Sequence, residues 1–170
     1  MGLFSSETLN TFEDLFNHQL KDLYDAEHQL TESLPLMADA ANATELKNAF
    51  NTHLMETRDQ IRRLEQVFQI VGEEPERVTC PAMKGLIKEG QETINASGDP
   101  RVKDAALIAS AQRAEHYEIA AYGTLRTLAR QAGMNDIAEL LQRTLDEEGN
   151  ADKKLTRIAE GQINRQAVSQ

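Results

Sequence analysis

Leu107-Ile108-Ala109-Ser110-Ala111-Gln112-Arg113-Ala114-Glu115-His116-Tyr117-Glu118-Ile119-Ala120-Ala121-Tyr122-Gly123-Thr124-Leu125-Arg126-Thr127-Leu128 carries the pattern that decides the fold. Leu107, Ala111, Ala114, Ala121, Leu125 and Leu128 recur at steps of four and three, the repeat of one helix face. Glu118 falls on that face, where a leucine would be expected. A carboxylate buried there without a partner is costly or gives up its charge by a pKa shift. The helix has clear ends: Asp99 offers an N-cap, Pro100 suits the first helical position, and Gly133 stops it, giving a span of about 100–132.

Three more long helices follow from the same periodicity. The first, about 6–41, carries Phe16, Leu20, Leu23, Glu27, Leu30 and Leu34, and Pro35 should kink it near its end. The second, about 43–72, is expected to start on a capping box of Asn42 and Glu45. Its stripe is Phe50, Leu54, Thr57, Ile61, Leu64, Phe68 and Val71, and Gly72 ends it. The last, about 135–160, has Ile137, Leu141, Leu145, Glu148, Asp152, Leu155 and Ala159 on one face, with residues 161–170 as a tail. Short turns join the first two helices and the last two, so each pair forms an antiparallel hairpin. Glu73 to Gly98 is too long for a turn and holds a short fifth helix over about 81–96. Alternating strand patterns are absent. The expectation is an all-α chain, one domain over residues 1–170, with two hairpins and one long crossover: the connectivity of a ferritin-like four-helix bundle.

Glu27 and Glu148 interrupt their stripes as Glu118 does. Measured from the turn at Asn42, Glu27 lies fifteen residues before and Glu56 fourteen after; measured from Gly133, Glu118 lies fifteen before and Glu148 fifteen after. At ~1.5 Å of rise per residue these four acids share one level of the bundle. One turn further out come Glu115, Asp152 and Gln60. Carboxylates converging in a core repel one another unless cations lie between them, and two divalent ions held by bridging carboxylates satisfy that need. Carboxylate-bridged dimetal bundles draw one Glu from each of two helices and Glu-x-x-His from the other two. Here Ala151 stands where the last helix would place that histidine, and Glu115-His116-Tyr117-Glu118 supplies two acids instead.

The expected ligands are Glu27, Glu56, Glu115, Glu118, Glu148 and Asp152. An oxygen-rich set suits Fe or Mn, with Mg or Ca as further candidates. Around them, His53, Gln60, His116, Tyr24, Tyr122 and Glu147 are placed to donate to or border the ligands. Blander readings stand beside these. The acids at the core edge could reach water or pair with arginine; Glu56 lies off its stripe and could be solvated; Glu115 and Asp152 could sit behind the ligands; Glu147 could be exposed. Histidines on a helix flank and tyrosines in a core often serve packing alone.

Composition narrows the partners. The 170 residues are 40% hydrophobic, enough for one core, and 28 acids against 18 bases give a formal charge of -10. That balance argues against a nucleic-acid scaffold and against an anchor on anionic lipid, and leaves cations as polar partners. The single Cys80 makes neither an internal disulfide nor a thiolate zinc site, and reads as a free thiol before Pro81. With no signal-peptide pattern and no run of about 18 apolar residues, the expected location is the cytoplasm. Met1-Gly2-Leu3-Phe4-Ser5-Ser6 matches the short myristoylation pattern, whose two fixed positions after Met decide little.

Leu23-Tyr24-Asp25-Ala26-Glu27, His53-Leu54-Met55-Glu56-Thr57, Arg101 to Ala109, Glu115 to Ala120 with Tyr122-Gly123-Thr124-Leu125, and Asp146-Glu147-Glu148 together resemble the YciE/YciF family of bacterial stress-associated proteins, within the ferritin-like superfamily. The resemblance spans nearly the whole chain. It implies a rubrerythrin-like bundle with a dinuclear metal centre and a homodimer. The Cys-x-x-Cys rubredoxin segment of rubrerythrins has no counterpart here, so their electron path is not implied. Two functions follow as expectations: a metal-binding stress protein that oxidises Fe(II) or consumes dioxygen or peroxide, and a non-catalytic structural or stress protein on the same bundle. An iron-storage cage is a less favoured reading: the extra helix is expected in the crossover, and no separate helix after Gly161 long enough for a cage interface is expected.

Overall fold

The computed structural model describes residues 9–169. Four long helices, α1 (Phe12–Ala40), α2 (Thr44–Val71), α4 (Pro100–Gln131) and α5 (Asn135–Ile158), form two hairpins, and α3 (Pro81–Asn95) lies in the crossover against α4 and α1. The hairpins pack through α2 on α5 and α1 on α4. Among the described residues there is no strand.

The ends of the helices follow local chemistry, with three departures from the sequence reading. The expected start at Ser6, like the myristoylation-type stretch, lies outside the described residues, but Leu9, Asn10 and Thr11 are not helical. Thr11 caps α1 instead: its hydroxyl accepts from the Asp14 amide at 3.0 Å while the Asp14 carboxylate accepts from the Thr11 amide at 2.9 Å. The helix runs on through Pro35 to Ala40.

The second departure is the turn into α2. Ala43, not Asn42, is the N-cap, and its side chain makes no cap. The buried Asp104 of α4 reaches across, accepting from the Asn42 amide at 2.7 Å and the Ala43 amide at 2.8 Å. The cap is tertiary and joins the two hairpins. The expected signals hold elsewhere: Gly72 and Gly133 take left-handed conformations at φ 78° and 75°, and Asp99 caps α4 by accepting from the Arg101 amide at 2.8 Å.

Third, residues 161–168 are helical rather than a tail. A π-helical turn over Ala159–Ile163 leads into α6 (Asn164–Val168). Widening the helix by one residue per turn brings Ile163 onto the face of Ile158, and both are buried.

The apolar core is in two parts. Phe16, Leu20, Leu64, Phe68, Leu125 and Leu141 lead one cluster; Leu30, Leu34, Leu46, Phe50, Leu107 and Ile158 lead the other. Burying one such side chain stabilises by ~1.5–3 kcal/mol. Between the two clusters each long helix contributes polar groups: Glu27 from α1; His53, Thr57 and Gln60 from α2; Glu115 and Glu118 from α4; Thr144 and Glu148 from α5. This buried polar layer crosses the middle of the bundle. The crossover is tied beside it by Asp25, which accepts from the Cys80 amide and from Arg77 Nε, both at 2.8 Å.

Candidate metal centre

Each helix carries its acids inward because the flanking stripe is anchored in apolar clusters above and below. The rotation that buries Leu107, Ala111 and Leu125 also buries Glu118, which is fully enclosed. Glu115, one turn earlier, is enclosed with it. His53, Glu115, Glu118 and Glu148 each bring one ligand atom into a group whose members all lie within 4.8 Å of one another. His53 Nε2 stands 3.3 Å from Glu115 Oε1 and 3.7 Å from Glu148 Oε2. Glu27 joins the layer from α1: its Oε1 accepts a hydrogen bond from the buried Tyr122 hydroxyl, and its carboxyl is close enough to Glu148 for their charges to interact.

The unsatisfied atoms are the informative feature. Both oxygens of Glu118, and one each of Glu27, Glu115 and Glu148, are buried with no hydrogen-bond partner, and His53 Nε2 lacks an aligned one. Native proteins leave few buried polar groups unpaired, and a cluster of them calls for a ligand or ion. The electrostatics agree. Burial pushes Glu27 up to about 8, with the Glu148 charge adding to it. Burial likewise raises Glu115 to about 8 and lifts Glu118 and Glu148 well above the ordinary carboxylate range. Burial alone would lower His53, but its contact with Glu56 and the charges of Glu148 and Glu27 outweigh that and raise it. Facing carboxyls of this kind need shared protons or cations between them.

The donor set fits a metal. Carboxylate oxygens with one imidazole nitrogen suit Fe or Mn; the imidazole makes an all-oxygen Mg or Ca site a poorer match. Gln60 donates to Glu148 Oε1 at 2.5 Å, fixing that carboxyl as an outer partner would.

Of the residues singled out from sequence, Glu27, Glu115, Glu118 and Glu148 come together in the layer. Glu56 stands at its edge, its side chain 42% exposed, linked inward through His53 Nδ1 at 3.4 Å. Asp152 lies beside the layer, close enough for its charge to help raise Glu115, while it accepts from Gln112 Nε2 at 2.9 Å and lies 3.3 Å from His116 Nε2. His116 is 69% exposed, since the α4 positions beside the stripe face solvent. Tyr24 lies in the apolar cluster next to the layer and donates to Glu65 at 3.1 Å, whereas Tyr122 is the tyrosine that touches a carboxylate of the layer. Glu147 is one-third exposed and takes both 3.0 Å bonds of Arg63 as well as a 3.2 Å bond from Gln60.

His53 lies deeper in the layer than the stripe of α2 suggests, in the group with Glu115, Glu118 and Glu148. Sequence spacing puts His53 beside the expected ligands and Ala151 where the last helix would carry a ligand histidine. Helix α2 instead offers His53-Leu54-Met55-Glu56, the usual Glu-x-x-His order reversed, with the histidine innermost. A signal existed: Phe50, His53, Thr57, Gln60 and Leu64 also step by three and four, and all five are buried while Leu54 is only half-buried. The stripe of α2 is therefore centred on His53 rather than on Leu54. Cys80, fully buried, caps α3 and has its Sγ 3.0 Å from the Tyr117 hydroxyl; burial raises its thiol, so it is not an activated thiolate.

Known proteins share this architecture. Protein YciF of Escherichia coli (strain K12) is 48% identical over 160 residues, 94% of this chain and 96% of that protein. The crystal structure of YciF, described as an Escherichia coli stress protein, superposes with a TM-score of 0.88 at 48% identity, covering 92% of this chain and 99% of the other. YcfI from Rhodopseudomonas palustris gives 0.86 at 47% identity, covering 90% and 98%. A crystal structure described as ferritin-like, diiron-carboxylate proteins from Bacillus anthracis str. Ames gives 0.65 at 16% identity, covering 89% and 99%; that likeness extends to the fold alone. The bundle is thus ferritin-like, and the chain, matched over residues 11–168, belongs to the family described as a domain of unknown function, DUF892.

Proposed function

We propose that the polar layer is a dinuclear metal centre, Fe or Mn, and that the chain is a stress-response protein using it for Fe(II) oxidation or for consuming dioxygen or peroxide. The carrying observation is the set of unpartnered buried atoms on Glu27, Glu115, Glu118, Glu148 and His53. These five side chains would hold the ions, with Glu56 closing the rim. Bound Fe(II) or Mn(II) would supply the electrons that an oxygen substrate accepts. The chain's own part is positioning: Tyr122 orients Glu27 by donating to it, Gln60 orients Glu148, and Arg63 holds Glu147 away from the layer. The stress role is carried over from the description of YciF, and assembly as a homodimer is part of the same proposal.

Metal content by mass spectrometry, for protein from metal-supplemented cells, tests this in wild type and Glu118→Ala. Wild type should retain metal and the variant lose most of it; trace metal in both would contradict the centre. Steady Fe(II)-dependent dioxygen or peroxide uptake, lost in Glu27→Ala, should accompany it if the centre turns over.

A second reading has an observation of its own. With Glu27 and Glu115 pushed up to about 8, the layer can persist as a protonated, metal-free network at neutral pH. A structural or stress protein without turnover needs no more than that. Metal-loaded protein that shows no uptake of dioxygen or peroxide would favour it.

A further inference from the structure

A cleft of about 150 Å³ opens between α2 and α5 onto the polar layer. Its floor is His53 and Glu115; its mouth is Glu56, Asn150, Lys154 and Arg157. The floor holds two buried side chains with unpartnered atoms, His53 Nε2 and Glu115 Oε2. A molecule in the cleft therefore lies against side chains that would hold the metal. Its volume falls below the ~300–1,000 Å³ of pockets that take drug-sized organic ligands, which points to a small inorganic species.

The charges at the mouth set the sign of that species. Lys154 is close enough to Glu56 to help hold its carboxyl below the ordinary value, after the larger effect of the His53 hydrogen bond. Arg157 is exposed and enters none of the ion pairs among the described residues. Two cations thus face one carboxylate at the mouth, on a chain whose overall charge is -10. Two divalent ions would offset the four buried carboxylates behind it. A cleft of this kind attracts an anion and repels a free cation.

We infer that the α2–α5 cleft is a binding site for a small inorganic oxyanion, held by Lys154, Arg157 and Asn150 against the metal-holding side chains. This rests on the metal-centre reading, because the anion is placed against the side chains that would hold the ions. Arg157 offers the planar fork that oxyanions match, and Lys154 a point charge.

Inorganic phosphate is the probe, followed by ³¹P NMR linewidth on protein loaded with Mn(II) and freed of excess metal. Paramagnetic broadening falls steeply with distance, so a surface-bound phosphate is distinguished from one in the cleft. Wild type should broaden the signal saturably. Lys154→Gln/Arg157→Gln, with substitutions on the outer rim and the same Mn(II) content, should bind at least ~tenfold more weakly. Circular dichroism melting confirms that this variant is folded, and Arg157→Lys should fall between the two. A protein that takes up no Mn(II) contradicts the metal-centre reading and this one with it. A protein that loads Mn(II) but leaves the linewidth unchanged, or broadens it equally in the double variant, overturns this inference alone.

Discussion

Glu118 has both carboxyl oxygens buried without a partner, and no apolar packing would select such a residue for stability. Replacing buried ionisable groups with apolar side chains of similar volume is often neutral or stabilising by ~1–4 kcal/mol. Glu118→Leu should therefore raise the melting temperature of protein kept in a chelator, at ~2–4 °C per kcal/mol for a chain of this size, while abolishing metal retention. A lower melting temperature would mean that the carboxyl is satisfied in the metal-free protein. Tyr122 makes the complementary case. Its hydroxyl donates to Glu27, so Tyr122→Phe removes a donor and leaves the ligand in place. Thermal melts should show a loss of ~1–3 kcal/mol, with metal content retained. Loss of all metal would make Tyr122 essential to the centre rather than a positioning residue.

At the scale of the helices, the devices that matter are those tying one hairpin to the other. Asp104 caps the α1–α2 turn from α4, using both oxygens on two adjacent amides. Asp104→Ala should cost ~0.5–2 kcal/mol, as loss of a helix cap does. Hydrogen exchange should quicken at the start of α2 and not at the start of α5; unchanged exchange there would show that water replaces the carboxylate without loss. Sequence could not reveal this cap, because the partners are 62 and 61 residues apart and Asn42 offers a local alternative. What sequence did reveal was the regular part. The stripes and the breaks at Gly72 and Gly133 depend on neighbours three and four residues away, so helices, hairpins and crossover were legible. The same counting put Glu27, Glu118 and Glu148 at one level. It misplaced the face of α2 by one residue, taking Leu54 for His53, since a histidine and a leucine at adjacent positions fit the period equally well. Asp152 fits the α5 stripe, but Gln112 and His116 offered it partners on the outer face that no periodicity encodes.

For the whole molecule, the buried layer couples metal, protons and stability. The ordinary carboxyl value is 4.5, and the folded metal-free protein holds Glu27 and Glu115 at about 8. Between those values the folded state binds more protons than the unfolded chain, so stability is full below about 4.5 and declines as pH rises toward 8. Melting temperatures of chelated protein should fall steadily from pH 5.5 to pH 8 on this account, and metal should abolish the slope. A flat profile without metal would contradict the raised carboxyls. The same protons must leave when cations arrive, so adding Mn(II) at pH 7 in weak buffer should release them into solution. The net charge of the metal-free chain near neutrality is accordingly less negative than the formal -10.

The most direct measurement is the metal content of purified protein from cells grown with added iron and manganese, compared between wild type and Glu118→Leu. The expected result is about two ions per chain in wild type and only trace metal in a variant that is folded and at least as stable. Trace metal in wild type, or equal metal in both, would contradict a metal centre built on the buried carboxylates.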